Sequence, residues 1–200
     1  AGSNYIGLTY FDLGYQTVSY TVTIGTKTAS NGYFGQGSTD CYYLTPAGGA
    51  PQESPALAFT RGNTYVFNLD DSTNTGHPLY FSTTEDGIHG GGVRYTAGVT
   101  YRLNGVAVDA VSFLASFDNA ATRSVTIVVP LDAPNTLYYV CDSHQKEGNS
   151  ITQNDNIQGD YRRHANGHSK ILGIAYDGYP IYGPYGYSSE MDDSSAVIRV

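Results

Sequence analysis

The sequence predicts an all-β chain whose main body is a Greek-key β-sandwich, and two observations carry that expectation. Short runs rich in Val, Ile, Thr, Tyr and Phe recur along the chain, each closed by a cluster of Gly, Pro, Asn, Asp or Ser. The composition agrees: 19 Tyr, 24 Gly and only 14% charged residues suit strands joined by turns, whereas long helices would want more Glu, Lys and Arg.

Taken in order, residues 1–16 are Gly- and Tyr-rich without clear periodicity and read as a lead-in. Thr17–Ile24 (T-V-S-Y-T-V-T-I) is a strand of β-branched and aromatic residues in near-alternation. Thr26–Thr39 reads as loop, and Cys41–Leu44 as a short strand closed by Pro46-Ala47-Gly48-Gly49. Ala56–Thr60 and Asn63–Leu69 flank Arg61-Gly62, as a hairpin or a bent strand would. Asp70–Gly76 is a turn cluster delivering His77 to the run Leu79-Tyr80-Phe81. Ser82–Gly98, with Gly90-Gly91-Gly92 at its centre, reads as an irregular loop. Strands are expected at Val99–Leu103, Val111–Phe113, Ser124–Val129 and Leu137–Cys141. About eight strands at turn-punctuated spacing make two packed sheets. From Ser150 the texture turns polar and Asn/Gln-rich, as a linker or surface loop would be. Ile171–Tyr176 and Ile181-Tyr182 then flank the hairpin-type turn Asp177-Gly178, with Pro180 and Pro184 confining the return strand to an edge or bend. The expected organisation is a lead-in (1–16), a sandwich (17–151) and a further β domain (152–200).

Composition also bounds partners. A formal charge of -8 and a pI near 4.8 argue against nucleic acid or an anionic membrane surface. No stretch approaches the roughly 18 apolar residues of a membrane span. No signal peptide is visible and the chain starts at Ala1, so it reads as processed or as part of something longer.

The chemistry-bearing stretch is Tyr138–Gly148, Y-Y-V-C-D-S-H-Q-K-E-G. One histidine entering a strand (His77) and Cys141-x-x-His144 leaving a later strand are in the ligand order of a cupredoxin copper site. There a thiolate and two imidazoles hold copper in a plane with a weak axial ligand. The bland alternative is a relic corner: histidines bonded to loop backbone, and Cys141 buried or joined to Cys41. A Cys41–Cys141 disulfide would close a loop of about 100 residues, and would consume the thiolate that copper needs. Two buried thiols are the other option.

Two stretches resemble known families. Ser72–Gly92, with its His-Pro and Asp-Gly-x-His-Gly-Gly-Gly elements, together with A-P-N-T-L-Y-Y-V-C-D-S-H, resembles a cupredoxin-like module of marine phage structural proteins, notably of cyanophages. That resemblance covers roughly Tyr20–Ile151. His168–Tyr187 (H-S-K-I-L-G-I-A-Y-D-G-Y-P-I-Y-G-P-Y-G-Y) resembles the start of a YHYH domain over about Asp160–Val200, which implies that the chain stops inside one. In the phage module a Met commonly stands three residues beyond the second His; here that place holds Glu147, followed by Gly148. A carboxylate is a hard donor that favours Cu(II) or Zn(II) over Cu(I), so a metal held by His77, Cys141, His144 and Glu147 would be structural or incidental rather than a tuned electron carrier.

Other signals have plainer readings. His89 lies in a Gly loop with no following helix and no Lys-Ser/Thr, so it does not cradle phosphate. His164-x-x-x-His168 lacks the Glu of a zinc peptidase, and its Asn166-Gly167 favours a turn. Arg162, Arg163 and Lys170 form the basic cluster of the chain, read as a partner contact or solvated loop. Asp70, Asp71, Asp86, Asp177, Asp192 and Asp193 offer oxygens for calcium without EF-hand spacing, so solvated turns are the default. Tyr and Gly could form a glycan- or protein-binding face, though Tyr is also an ordinary sheet residue. No nucleophile–base–orienter set emerges, so the expectation is a non-catalytic protein.

The resemblances imply a structural or host-attachment protein of a phage virion, in a fibre, tail or surface appendage. Its partners would be copies of itself, other virion proteins, or a host-surface glycan or protein. Two alternatives stand beside it: a secreted copper-binding cupredoxin, and an extracellular filament or matrix protein of a cell.

Overall fold

In the computed structural model the described residues are 15–154, 171–174, 180–182, 185–187 and 197–199. The chain divides into two compact units, one spanning Gln16–Asp155 and the other combining Ala1–Tyr15 with Asn156–Val200.

The first unit is an all-β sandwich. Its strands are β1 (Thr17–Thr26), β2 (Asp40–Pro46), β3 (Gln52–Glu53), β4 (Leu57–Thr60), β5 (Thr64–Asn68), β6 (Leu79–Ser82), β7 (Arg94–Tyr95), β8 (Val99–Leu103), β9 (Val106–Val108), β10 (Arg123–Val128), β11 (Thr136–Cys141) and β12 (Asn149–Asn154). One sheet runs β3-β2-β1-β5-β10-β8-β9 and the other β4-β12-β11-β6-β7. Both are mixed: β1 with β5 and β4 with β12 are parallel, and the remaining pairs are antiparallel.

Alternation decides which side chains meet between the sheets. Tyr65 and Phe67 of β5, with Val125 and Ile127 of β10, are buried while their neighbours face outward. From the other sheet come Phe59, Phe81, Leu137, Tyr139 and Ile151. Phe59 stacks on Tyr65 with ring centroids 3.7 Å apart, and Phe67 meets Phe81 edge-on at 5.6 Å. Arg61-Gly62 does not make a hairpin. β4 and β5 belong to different sheets, so the chain bends there, with Gly62 at φ +88°. The Arg61 amide is satisfied by the Asn154 carbonyl, and its guanidinium by Ala133 O and Asn135 Oδ1.

Two expectations fail locally. Val111–Phe113 is not a strand but the middle of the helix α1 (Ala110–Ser116), because Asp109 caps it: Oδ1 accepts from the Ser112 amide and Oδ2 from its hydroxyl. The polar run after Ser150 opens as β12, lying between β4 and β11. Only Ile151 is buried there, so backbone pairing rather than apolar patterning holds the strand. The Ser82–Gly98 loop also carries more order than expected, a 3-10 turn (Gly87–Gly90) and the short β7.

In the second unit, β13 (Ile171–Ile174) pairs antiparallel with β14 (Pro180–Tyr182), and β15 (Tyr185–Tyr187) with β16 (Val197–Arg199). The first pair holds the two strands expected to flank Asp177-Gly178; that turn lies outside the described residues.

Candidate metal centre

One end of the sandwich gathers the four residues singled out in the sequence. β6 and β11 are paired with Cys141 opposite Leu79, so His77, two residues before Leu79, arrives beside the sulfur. The Asp142 amide donates to the Pro78 carbonyl (2.9 Å) and fixes that junction. His77 is delivered by a tight turn in which its amide donates to Asn74 O at 2.8 Å. The buried Asn74 in turn donates from Nδ2 to Val22 O of β1 at 2.8 Å. From the opposite sheet the buried Tyr42 hydroxyl donates to the His77 carbonyl at 2.9 Å, tying the two sheets together beneath the site.

The turn from Asp142 to Gly148 brings in His144 and Glu147. It is strapped from three sides. The Glu147 carbonyl accepts from the Tyr42 amide (3.0 Å) and the Ser54 hydroxyl (2.8 Å), and the Gln145 carbonyl accepts from the Ser38 amide (3.0 Å). Lys146 is left-handed (φ +61°), with its amide on Asp86 Oδ1 at 2.6 Å and its ammonium on Glu85 at 2.7 Å. Gly148 is a packing requirement, because a Cβ there would stand 1.7 Å from the Tyr139 carbonyl oxygen.

The side chains converge closely. The donor atoms of His77, Cys141, His144 and Glu147 all lie within 4.8 Å of one another, the one such grouping among the described residues. His77 Nδ1 is 2.8 Å from Glu147 Oε2, His144 Nδ1 is 3.5 Å from Glu147 Oε1, and Cys141 Sγ is 3.7 Å from His144 Nδ1. The imidazole centroids are 4.4 Å apart. Glu147 is fully buried, His77 is 14% exposed at its side chain and His144 42%, so the corner opens to solvent at His144.

The donor set and spacing fit a transition ion. Tetrahedral bonds of about 2.0–2.3 Å imply donor-to-donor edges of roughly 3.3–3.6 Å. The Cys141–His144 and His144–Glu147 separations are close to those edges, whereas the His77–Glu147 contact is a hydrogen bond that would open. Glu147 Oε1 is buried with no hydrogen-bond partner, a position that costs free energy unless something positive meets it. Burial, and then the Glu147 charge, push the Cys141 thiol far above the ordinary range, while the Ser143 amide works the other way. Burial followed by the Cys141 charge does the same to the Tyr42 phenol.

The remaining candidates are placed elsewhere. The alternative cross-link is not formed: Cys41 and Cys141 are both free and buried. Cys41 Sγ faces Asn31 Nδ2 at 3.6 Å and Glu53 Oε1 at 3.9 Å, and burial raises its pKa to about 11. Asp70 Oδ1 accepts from the Arg123 amide, Asp71 Oδ1 from Thr73 and Asp86 Oδ1 from the Lys146 amide, so these three anchor turns. His89 sits on the 3-10 turn Gly87–Gly90. His164, His168, Arg162, Arg163, Lys170, Asp177, Asp192 and Asp193 lie outside the described residues. Sequence reasoning missed Tyr42, and also Lys27, whose buried ammonium donates to Gln36 O (2.8 Å) and Ser38 O (2.6 Å) behind the ligand loop. No local motif marks either residue.

Residues 90–200 match the family described as YHYH protein. The match starts at Gly90, inside the sandwich, so the resemblance read over Asp160–Val200 is the end of a longer one. It includes Cys141, His144 and Glu147 and leaves His77 upstream. No curated protein matches the chain.

Proposed function

The chain belongs to the YHYH protein family, and from that premise we propose that its sandwich is a non-catalytic, metal-stapled module. A first-row transition ion is held by His77 Nδ1, Cys141 Sγ, His144 Nδ1 and a Glu147 carboxylate oxygen. The observation that carries this reading is the convergence of those four donors within 4.8 Å around a buried carboxylate oxygen that has no hydrogen-bond partner. When bound, the ion supplies cross-linking: it ties β6 to the turn after β11 and so fastens the open end of the second sheet. No group beside it is placed as a nucleophile, since Cys141 is buried and its sulfur is taken up as a ligand.

The test is metal analysis of the intact chain, followed by titration of the metal-free protein with Zn(II) and Cu(II). One ion per chain, lost in His77→Ala, Cys141→Ser and His144→Ala, is the expected result. Absence of stoichiometric binding in the unaltered protein sinks the reading.

The setting of this module is a second part of the proposal. The cupredoxin-like resemblance over Tyr20–Ile151 favours a structural or host-attachment role in a phage virion appendage, with copies of this chain or neighbouring virion proteins as partners. The acidic, Tyr- and Gly-rich composition suits such an extracellular particle surface. A secreted copper-binding protein and a cellular matrix protein are the competing settings. Light scattering on the purified chain separates them: symmetric oligomers support the appendage role, and a stable dilute monomer counts against it.

A further inference from the structure

Resting on the metal reading above, we infer that Tyr42, in the sheet facing the ligands, is a positioning residue of the metal centre, and that its hydroxyl donates to the Cys141 sulfur once that sulfur is a metal-bound thiolate. From one place in β2, Tyr42 reaches His77, Cys141 and Glu147. Its amide donates to the Glu147 carbonyl at 3.0 Å and its hydroxyl to the His77 carbonyl at 2.9 Å. The Cys141 sulfur is the other neighbour of that hydroxyl, because β6 and β11 set Cys141 opposite Leu79, two residues from His77. Each side chain feels the other. Burial, the charges of Cys141 and Glu147 and then a hydrogen bond to Cys141 raise the Tyr42 phenol. Burial and the Glu147 charge raise the Cys141 thiol, against the Ser143 amide and the Tyr42 hydroxyl, which lower it.

Tyr42 is itself held still. Its side chain is fully buried, and its carbonyl accepts from the Ser54 amide at 2.8 Å and the Ser54 hydroxyl at 3.3 Å. That same Ser54 hydroxyl reaches the Glu147 carbonyl at 2.8 Å, so β2 and the ligand turn share one frame. The hydroxyl carries one proton and has two acceptors before it. In the metal-free chain the proton rests on the neutral His77 carbonyl. Metal binding requires Cys141 as thiolate, and a hydrogen bond to an anion is roughly twice as strong as one between neutral groups. The proton is therefore drawn to the sulfur, in a corner where both residues are sealed from water. A donor on the sulfur withdraws charge from the thiolate, so Tyr42 sets the electronic character of the sulfur–metal bond as well as the place of the ligands.

The experiment compares Tyr42→Phe with Tyr139→Phe in the full-length chain, titrated with Zn(II) and with Co(II) as a spectroscopic stand-in. Tyr139→Phe is the control. It removes a like bond, from an equally buried hydroxyl to the Pro55 carbonyl at 2.8 Å, whose acceptor is no metal ligand. Both variants should melt earlier than the unaltered chain. Tyr42→Phe alone should weaken Zn(II) binding, by about 10- to 100-fold, and move the thiolate-to-Co(II) charge-transfer band to lower energy. A band that stays in place in Tyr42→Phe, or that moves equally in Tyr139→Phe, reduces Tyr42 to a structural tie and overturns the inference while the metal reading stands. Should Tyr42→Phe not fold, the unaltered chain loaded with an NMR-active cadmium isotope decides. The Tyr42 hydroxyl proton is expected to couple to cadmium through the sulfur, and a resolved proton without that coupling overturns the inference. Failure of the unaltered chain to bind Zn(II) and Co(II) overturns the metal reading and this inference together.

Discussion

Glu147 Oε2 lies 2.8 Å from His77 Nδ1 across 70 residues of sequence, and the other Glu147 oxygen is buried without a hydrogen bond, 3.5 Å from His144 Nδ1. A fully desolvated carboxylate held this way is kept for something other than the stability of the metal-free fold. The prediction has two halves. Without metal, Glu147→Gln removes a buried charge, keeps its shape, and should raise unfolding free energy by about 1 kcal/mol. With Zn(II) at roughly 100 times its dissociation constant, the unaltered protein should gain about 2.7 kcal/mol and overtake the variant. Thermal melts with and without Zn(II) decide it; an unaltered chain that is the more stable of the two without metal contradicts the assignment.

Gly148 closes the ligand turn where a Cβ would stand 1.7 Å from the Tyr139 carbonyl, in the middle of β11. That contact is with backbone and cannot be relieved by a rotamer change. Gly148→Ala should cost about 3–5 kcal/mol, at the extreme of single substitutions, and should displace Glu147. Gly91→Ala is the control: it meets only open space but has φ +82°, so roughly 1 kcal/mol is expected. Chemical denaturation of the two variants reads the difference.

How much of this was legible in the sequence depends on what holds each element. β5 and β10 were readable because Tyr65, Phe67, Val125 and Ile127 alternate inward, the strand signature in one dimension. β12 was not, since Ile151 is its one buried residue and its place comes from pairing with partners far away in sequence. α1 is ambiguous in one dimension because three residues, Val111 to Phe113, fit a strand or a helix equally, and the Asp109 cap is what decides. At the site, His77, Cys141 and His144 are marked by their ligand order at strand ends, and Glu147 only by the resemblance, as the residue standing where the phage module has Met. Tyr42 and Lys27 contribute through space and leave no local trace.

Alkaline pH should unfold the chain over a definable window. Burial raises the phenols of Tyr33 and Tyr101 to about 12, the first helped by its bond to Glu85, and lifts Tyr42 and Tyr139 well above the ordinary value of 10.0. The folded state therefore binds protons that the unfolded state releases. The stability this gives is full below about pH 10 and is lost as pH rises towards 12. Lys27, lowered by burial, contributes in the opposite sense. Tyrosine ionisation followed by ultraviolet absorption should show exposed phenols titrating first, then a cooperative step that coincides with loss of near-ultraviolet dichroism. A single smooth titration with the fold intact would contradict the buried aromatic core described here.

Lys27 holds the ligand turn from behind, and its removal should be felt at the metal rather than only in the fold. Its ammonium satisfies Gln36 O and Ser38 O, and the peptide between Gly37 and Ser38 then presents the Ser38 amide to Gln145 O at 3.0 Å. Gly37 lies so close to Gln145 that a Cβ there would stand 2.6 Å from the same oxygen, so the two loops move together. Lys27→Met leaves two inward carbonyls unpaired, which should cost about 1–3 kcal/mol. A purely structural role would stop there. As a positioning residue, Lys27 should also speed amide exchange at Lys146 and Glu147 in the metal-free protein and weaken Zn(II) binding about 10- to 100-fold, as outer partners of metal ligands do. Lys27→Arg, which keeps the charge and the donors, should restore part of both. Unchanged exchange at Lys146 and Glu147 together with unchanged Zn(II) affinity would reduce Lys27 to an ordinary buried cation.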